Sequence, residues 1–236
     1  MATTVRRIVH GAFRNDAALL ASMHELVAPS YDGVPAVLDY ELAICDTLYL
    51  LTDELGLVSF FMTAATELQI ADARVPAFFM GLGATRQSAK GRGQIRDLFL
   101  AFADDVRARE ATTTERVLLF ATFATPSTLY AFETLFVDVA PVRSGGYRDE
   151  YLPALPAIRD FLRTSADPQC PFRLPRHAKG TRYSVSERLR LADICRRKNF
   201  TLFEMLDVDE ARGDRLVLCA HAPHTRSEVT SSRVDE

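Results

Sequence analysis

One stretch constrains the fold more than any other part of the chain. An apolar run, Val75 to Leu82 (VPAFFMGL), is followed by Gly83, a basic glycine-rich turn from Arg86 to Gly93, and then Ile95, Leu98, Phe99, Phe102 and Val106. The run has strand length and composition, and the residues after the turn keep the i, i+3, i+4, i+7 spacing of a helix with one apolar stripe. Gly81 and Gly83 at the end of the strand predict a bulge or a close backbone approach. A second buried-type run, Glu115 to Thr122 (ERVLLFAT), comes next. Strand, helix and strand in this order predict a parallel pair joined by a right-handed crossover, an α/β arrangement.

The flanks fill in around this unit. Val5 to His10 reads as a first strand. Asn15 or Asp16 can cap a helix carrying Leu19, Leu20, Met23, Leu26 and Val27, broken by Pro29 to Pro35, with a second helix at Val37 to Ile44. Thr47 to Leu51 and Leu57 to Met62 predict a hairpin through Thr52 to Gly56, before a polar patch from Glu67 to Arg74. Pro126 and Ser127 open a helix to Leu135, and Phe136 to Val142 predicts a strand. Beyond it, Pro153, Pro156, Pro168, Pro171 and Pro175 mark an irregular segment with a helix at Ala157 to Arg163. Ser184 and Glu187 form a capping-box pattern for a helix ending in Arg196, Arg197 and Lys198, and Phe200 to Leu206 and Arg215 to His221 read as strands. The expectation is one domain over residues 1–223, with 143–199 a partly helical insertion and 224–236 a mobile tail.

Composition excludes several classes. The chain has 236 residues, 48% of them apolar, which suits one sizeable core. A net charge of −3 and a pI near 6.0 give no basic face for a nucleic-acid partner. Cys45, Cys170, Cys195 and Cys219 form no C-x-x-C pair and have no histidine at finger spacing, so they read as reduced thiols of a cytoplasmic protein without a metal. Asp207, Asp209, Glu210 and Asp214 miss the calcium-loop pattern at Ala211 and read as a solvated hairpin loop, while His221 and His224 read as surface or satisfied histidines. No stretch approaches the roughly eighteen uncharged residues of a membrane span, and Arg6 and Arg7 precede no apolar leader region.

The turn carries the chemistry. Gly91-Arg92-Gly93-Gln94-Ile95-Arg96 begins like a dinucleotide fingerprint, but Arg96 stands where the third glycine belongs, and Lys90-Gly91 reverses the order a Walker A loop needs. What remains is an anion cradle: small residues let backbone N–H groups converge, and the first turn of a helix leaves its own N–H groups without partners. Arg86, Lys90, Arg92 and Arg96 add positive charge, with no acid before Asp97. A diphosphate fits such a place.

These residues resemble the GNAT (general N-acetyltransferase) superfamily, whose signature R/Q-x-x-G-x-G/A lies between a strand and a helix. Here it reads from Ser88 to Gly93, with Ser88 in the leading position and Arg86 and Gln87 just before it. The resemblance covers Val5 to Val142. It implies a mixed α/β fold: a central twisted sheet of six to seven strands, splayed at its middle, with helices on both faces. It also implies acyl transfer, acetyl by default, from acetyl-CoA or another acyl-CoA to the primary amine of a small molecule or peptide in a ternary complex, without a metal. Ser88, Ala89, Lys90, Gly91, Arg92 and Gly93 would hold the pyrophosphate. Gly81, Leu82 and Gly83 would bond the pantetheine arm, with an amide of Leu82 or Gly83 near the thioester oxygen. The family's second signature places Thr125 at its Asn position and Phe132 at its Tyr position, which leaves Tyr130 as the substitute general acid.

For the general base the strand Val75 to Leu82 offers no acid, and Glu67, Asp72, Tyr40 and His221 stand unranked. Phe60, Phe61, Phe78 and Phe79 read as core. Two other readings stay open: a longer acyl donor, as in the N-acyl amino acid synthase branch, and a catalytically silent binding module. Residues 143–199 either cover the acceptor side or form a homodimer contact.

Overall fold

Asp16 starts the first helix as its position suggests: its Oδ1 accepts from Leu19 N at 3.0 Å, capping α1 (Ala17–Val27). The computed structural model describes residues 4–31, 34–113, 115–165 and 167–224. β1 (Thr4–Ile8) precedes α1, and α2 (Val34–Ile44) leads into β2 (Thr47–Asp53), β3 (Gly56–Ile70) and β4 (Ala73–Thr85). These strands pair antiparallel in sequence order. The polar patch from Glu67 to Arg74 belongs to the sheet: β3 and β4 run through it to a tight turn at Ala71 and Asp72, because Glu67, Gln69 and Arg74 take outward positions of alternating strands.

After the glycine turn, α3 (Gln94–Thr113) crosses over to β5 (Leu118–Phe123), which lies parallel to β4. Thr125 caps α4 (Pro126–Leu135) through Thr128 N, and β6 (Val137–Ala140) follows. Then come α5 (Leu155–Leu162), the two-residue β7 (Arg173–Leu174), α6 (Val185–Arg197), α7 (Leu202–Met205) and β8 (Arg215–His221). The sheet order is β1-β2-β3-β4-β5-β8-β6, with β7 added to β8, so it is mixed and has eight strands where six to seven are expected. The extra one comes from the segment between β6 and α6.

Helices cover both faces, and period-two alternation sorts the side chains between them. Phe78 packs on Phe102 of α3, while Phe79 packs on Phe161 of α5 and on Phe120. Phe102 is fully buried and also meets the rings of Tyr49, Phe61 and Phe136, so cutting it to Ala would cost about 3–5 kcal/mol. Phe60, Phe61 and Phe79 are buried and Phe78 partly so, in one continuous core.

Two expectations need correction. Phe200 to Leu206 is not a strand: α7 occupies Leu202–Met205, its entry fixed by Thr201 N and Leu202 N donating to Arg143 O. Leu202, Phe203 and Leu206 also keep helical spacing, and β8 already has β5, β6 and β7 as partners. Nor is 207–214 a simple solvated hairpin. Asp214 is buried and accepts from Arg176 N, Asp209 N and Arg173, which hold its carboxyl below the usual range against the opposing effect of burial. The expected mobile tail, 224–236, lies outside the described residues except for His224.

Candidate functional site

The β4–β5 ladder pairs Ala77 to Met80 with Leu118 to Ala121 and stops there. Opposite, on the β3 side, the register shifts: Thr63 faces Met80 and Phe61 faces Gly83, so two residues of β4, Gly81 and Leu82, oppose Met62 alone. This bulge turns β4 away from β5 and opens a cleft of about 340 Å³ at the centre of the sheet. Both roles expected of the glycines are met. A Cβ on Gly81 would collide with the carboxylate of Glu41 and the thiol of Cys45, and one on Gly83 would press on Ile95 Cδ1 at 3.2 Å.

The glycine turn forms the rim of the cleft. Gly91 and Gly93 have φ of +80° and +82°, with nothing within 4 Å of where a Cβ would stand, so conformation and not space calls for glycine. α3 starts beside them at Gln94; Arg96 N already donates to Gly93 O, and Gln94 and Ile95 carry the N–H groups that the start of a helix leaves without intrahelical acceptors. Gln94 Oε1 is buried without a hydrogen-bond partner and lines the cleft.

Of the residues expected to hold the coenzyme, Gly81, Leu82, Gly83, Ala89, Lys90, Gly91, Gly93, Thr125 and Phe132 share the lining of this one cleft. Ser88 and Arg92 are exposed and stand outside it. Arg86 is tied to Asp53 at 3.1 Å and to Leu57 O, so its charge serves the β2–β3 end. Lys90 Nζ contacts Glu187 Oε1 on α6 at 2.7 Å. Ser184 Oγ caps α6 at Glu187 N, but the Glu187 carboxylate goes to Lys90 instead of closing a capping box. Phe132 packs between Phe99 and Phe136, while Tyr130 lies beneath the Arg143 guanidinium and the Lys198 ammonium and is not part of the lining.

None of the four base candidates lines the cleft. Glu67 and Asp72 stand at the far end of the β3–β4 hairpin. Tyr40 Oη donates to Leu162 O, and His221 Nδ1 meets Val117 O at 2.9 Å. Among the described residues two carboxylates line the cleft: Glu187, which is paired with Lys90, and Glu41 on α2. Glu41 Oε2 accepts from Leu82 N at 3.1 Å and from the Cys45 thiol at 3.7 Å. Burial pushes its pKa up from 4.5 to about 7, against the opposing pull of those two hydrogen bonds. The sequence signal for Glu41 is its register: it stands one helical turn from Val37, Leu38 and Cys45, which Asp39 two places before it does not.

The remaining wall is assembled from distant segments. Tyr31, just after α1, bridges to Thr181, and Arg182 N donates to Ser30 O, so residues 181–183 close over the end of the cleft. Arg215, at the start of β8, is 6% exposed and lines the same wall with Thr181 and Tyr183. Its Nη1 donates to Asp214 O and its Nη2 to Lys179 O, and the Tyr31 phenol is hydrogen-bonded to it. Burial raises the Tyr31 pKa despite Arg215.

No protein-family model and no curated protein matches the chain. Among solved structures, a probable N-acyltransferase of unknown function from Enterococcus faecalis is similar over 58% of this chain and 33% of its own, at 14% identity and a TM-score of 0.42. The chain thus spans about a third of that protein. The ribosomal-protein-alanine N-acetyltransferase of Escherichia coli is similar over 60% of this chain and 79% of its own, at 10% identity and a TM-score of 0.42. For the toxin AtaT bound to the C-terminus of the antitoxin AtaR and acetyl-CoA the values are 60%, 86%, 11% and 0.38. The strand order, the splayed β4–β5 pair and the glycine turn ahead of α3 make the fold of this chain GNAT-like.

Proposed function

We propose that the chain is an acyl-CoA-dependent N-acyltransferase that transfers a short acyl group, acetyl by default, to a primary amine in a ternary complex. The observation that carries this reading is the splay of β4 from β5 beyond Met80, which puts Gly81 to Gly83 along one cleft and the Gly91–Gly93 turn at its rim. The rim suits a diphosphate, through open space beside both glycines and the N–H groups of Gln94 and Ile95 that open α3. Gln94 Oε1, buried and unpartnered, suits an amide N–H of a pantetheine arm.

In the overall exchange an amide C–N bond forms, the coenzyme's thioester C–S bond breaks, and the thiol leaves with a proton. The chain's part is to receive, orient and move protons. Glu41, with a pKa of about 7, is matched to taking a proton from an ammonium acceptor near neutral pH. Once Glu41 is protonated it holds the Leu82 N–H less strongly, and that amide is released to face an oxygen gaining negative charge. Base and oxyanion donor are thus one coupled pair.

The volume of the cleft favours a short acyl group over a long chain, since the pantetheine arm must share it. A donor series from acetyl to long-chain acyl-CoA tests this point. The test of the whole reading is acetyl-CoA binding, followed as a rise in melting temperature at saturating ligand, together with release of free coenzyme A thiol against a panel of amines. Absence of both binding and release sinks the reading; binding without release from any amine identifies a silent binding module.

A further inference from the structure

Arg215 is a buried cation without a counter-charge. Among the described residues no carboxylate pairs with it: its side chain reaches two backbone carbonyls and the Tyr31 phenol. Asp214, its neighbour in sequence, turns its carboxylate to Arg173 and Arg212. Tyr31, Tyr183 and His177 feel its charge, and burial keeps all three neutral, the phenols above 10 and His177 at about 4. Glu187 and Glu210 act on Tyr183 as well, but the Glu187 carboxylate goes to Lys90 and neither acid is paired with Arg215 among the described residues. Burying an unpaired guanidinium is costly, so a site that keeps one against a cleft wall is built for an anion. Beside it Thr181 Oγ1 is buried with no hydrogen-bond partner. A planar fork with unspent N–H donors next to an unspent hydroxyl matches a carboxylate.

Glu41 lines the same cleft, and the Tyr31 phenol feels both its charge and that of Arg215. One cleft therefore offers both an anion receiver and a proton acceptor. We propose that the acyl acceptor is an amino acid, its carboxylate received by Arg215 and Thr181 and its amine turned toward Glu41. The role of the amine rests on the N-acyltransferase reading; the carboxylate site does not.

The test compares each standard amino acid with its carboxamide on the full chain, with and without saturating acetyl-CoA, by thermal shift and by coenzyme A thiol release. At least one amino acid should bind about tenfold or more tightly than its carboxamide. In Arg215→Gln that ratio should fall to near one, while acetyl-CoA affinity stays within about twofold. Carboxamides that bind as well as the acids, a ratio unchanged in Arg215→Gln, or no amino acid binding at millimolar concentration would each overturn the proposal. If Arg215→Gln does not fold, the acid-to-carboxamide ratio of the unaltered chain decides. If acetyl-CoA fails to bind while the ratio without coenzyme holds, the acyltransferase reading falls and the carboxylate site stands.

Discussion

Glu41 Oε2 and Leu82 N, 41 positions apart in sequence, meet at 3.1 Å on the bulge where β4 leaves β5. The amide expected to face a thioester oxygen is therefore held by a carboxylate of the cleft, the group proposed above as the base. Glu41→Gln should keep the packing but lower kcat by about 10²-fold or more. It should also remove an activity limb that rises through pH 7 in the unaltered chain. A pH–rate profile of both forms checks this, and an unchanged limb in Glu41→Gln would assign it to another group.

The same group makes stability depend on pH. Its folded pKa, about 7, lies above its ordinary 4.5, so the folded chain binds the proton more tightly than the unfolded one. The resulting stabilisation is fully present below about pH 4.5 and is lost as pH rises through 7, a change on the order of 3 kcal/mol. Urea unfolding at pH 5 and pH 8 should show Glu41→Gln losing less stability between the two than the unaltered chain loses.

Gly81→Ala drives a methyl group into the Glu41 carboxylate and the Cys45 thiol, with Met62 O at 3.3 Å behind them. Overpacking of this kind costs about 1–3 kcal/mol. Because the displaced group is Glu41, turnover should fall together with stability. Gly93→Ala meets no neighbour, so only its left-handed backbone resists, at about 1–2 kcal/mol, and the loss should appear mainly as weaker acetyl-CoA binding. Denaturant curves and binding isotherms on the two variants separate the cases.

The Lys90–Glu187 pair, with side chains 23% and 10% exposed, spends the one lysine of the glycine turn on α6. Glu187→Gln frees that charge beside the diphosphate cradle. Acetyl-CoA affinity should rise by about three- to tenfold at low salt, and the gain should shrink at high salt. A gain independent of salt would assign the effect to a movement of α6 instead of to charge.

The glycine side of the cleft was legible because its parts are contiguous. Strand, two glycines, turn and helix stand between Val75 and Val106, each with a local signature. Thr125 and Phe132, which the resemblance named, line the same cleft, and Thr125 stands at the cap of α4. Glu41, Tyr31, Thr181 and Arg215 were not legible, since what matters in them is which distant chain segments bury them. Tyr130 shows the same limit from the other side: two places before Phe132 on α4, it turns outward to Arg143 and Lys198. Phe200 to Leu206 was misread because its apolar positions satisfy both periods, and only the occupied edge of β8 decides for the helix.

The two halves of the cleft also differ in how they come apart. Its glycine rim is held by one strand and one helix that follow each other, whereas Arg182 reaches Tyr31 O across 151 residues to close the opposite wall. A brief detachment of 178–183 would open the acceptor wall while leaving the cradle intact. In hydrogen exchange, amides around Thr181 should therefore open at a lower free energy than those of β4, and an acceptor that bridges to Arg215 should slow them selectively. Under the function proposed above, the wall that breathes first would set the order in which the two substrates enter.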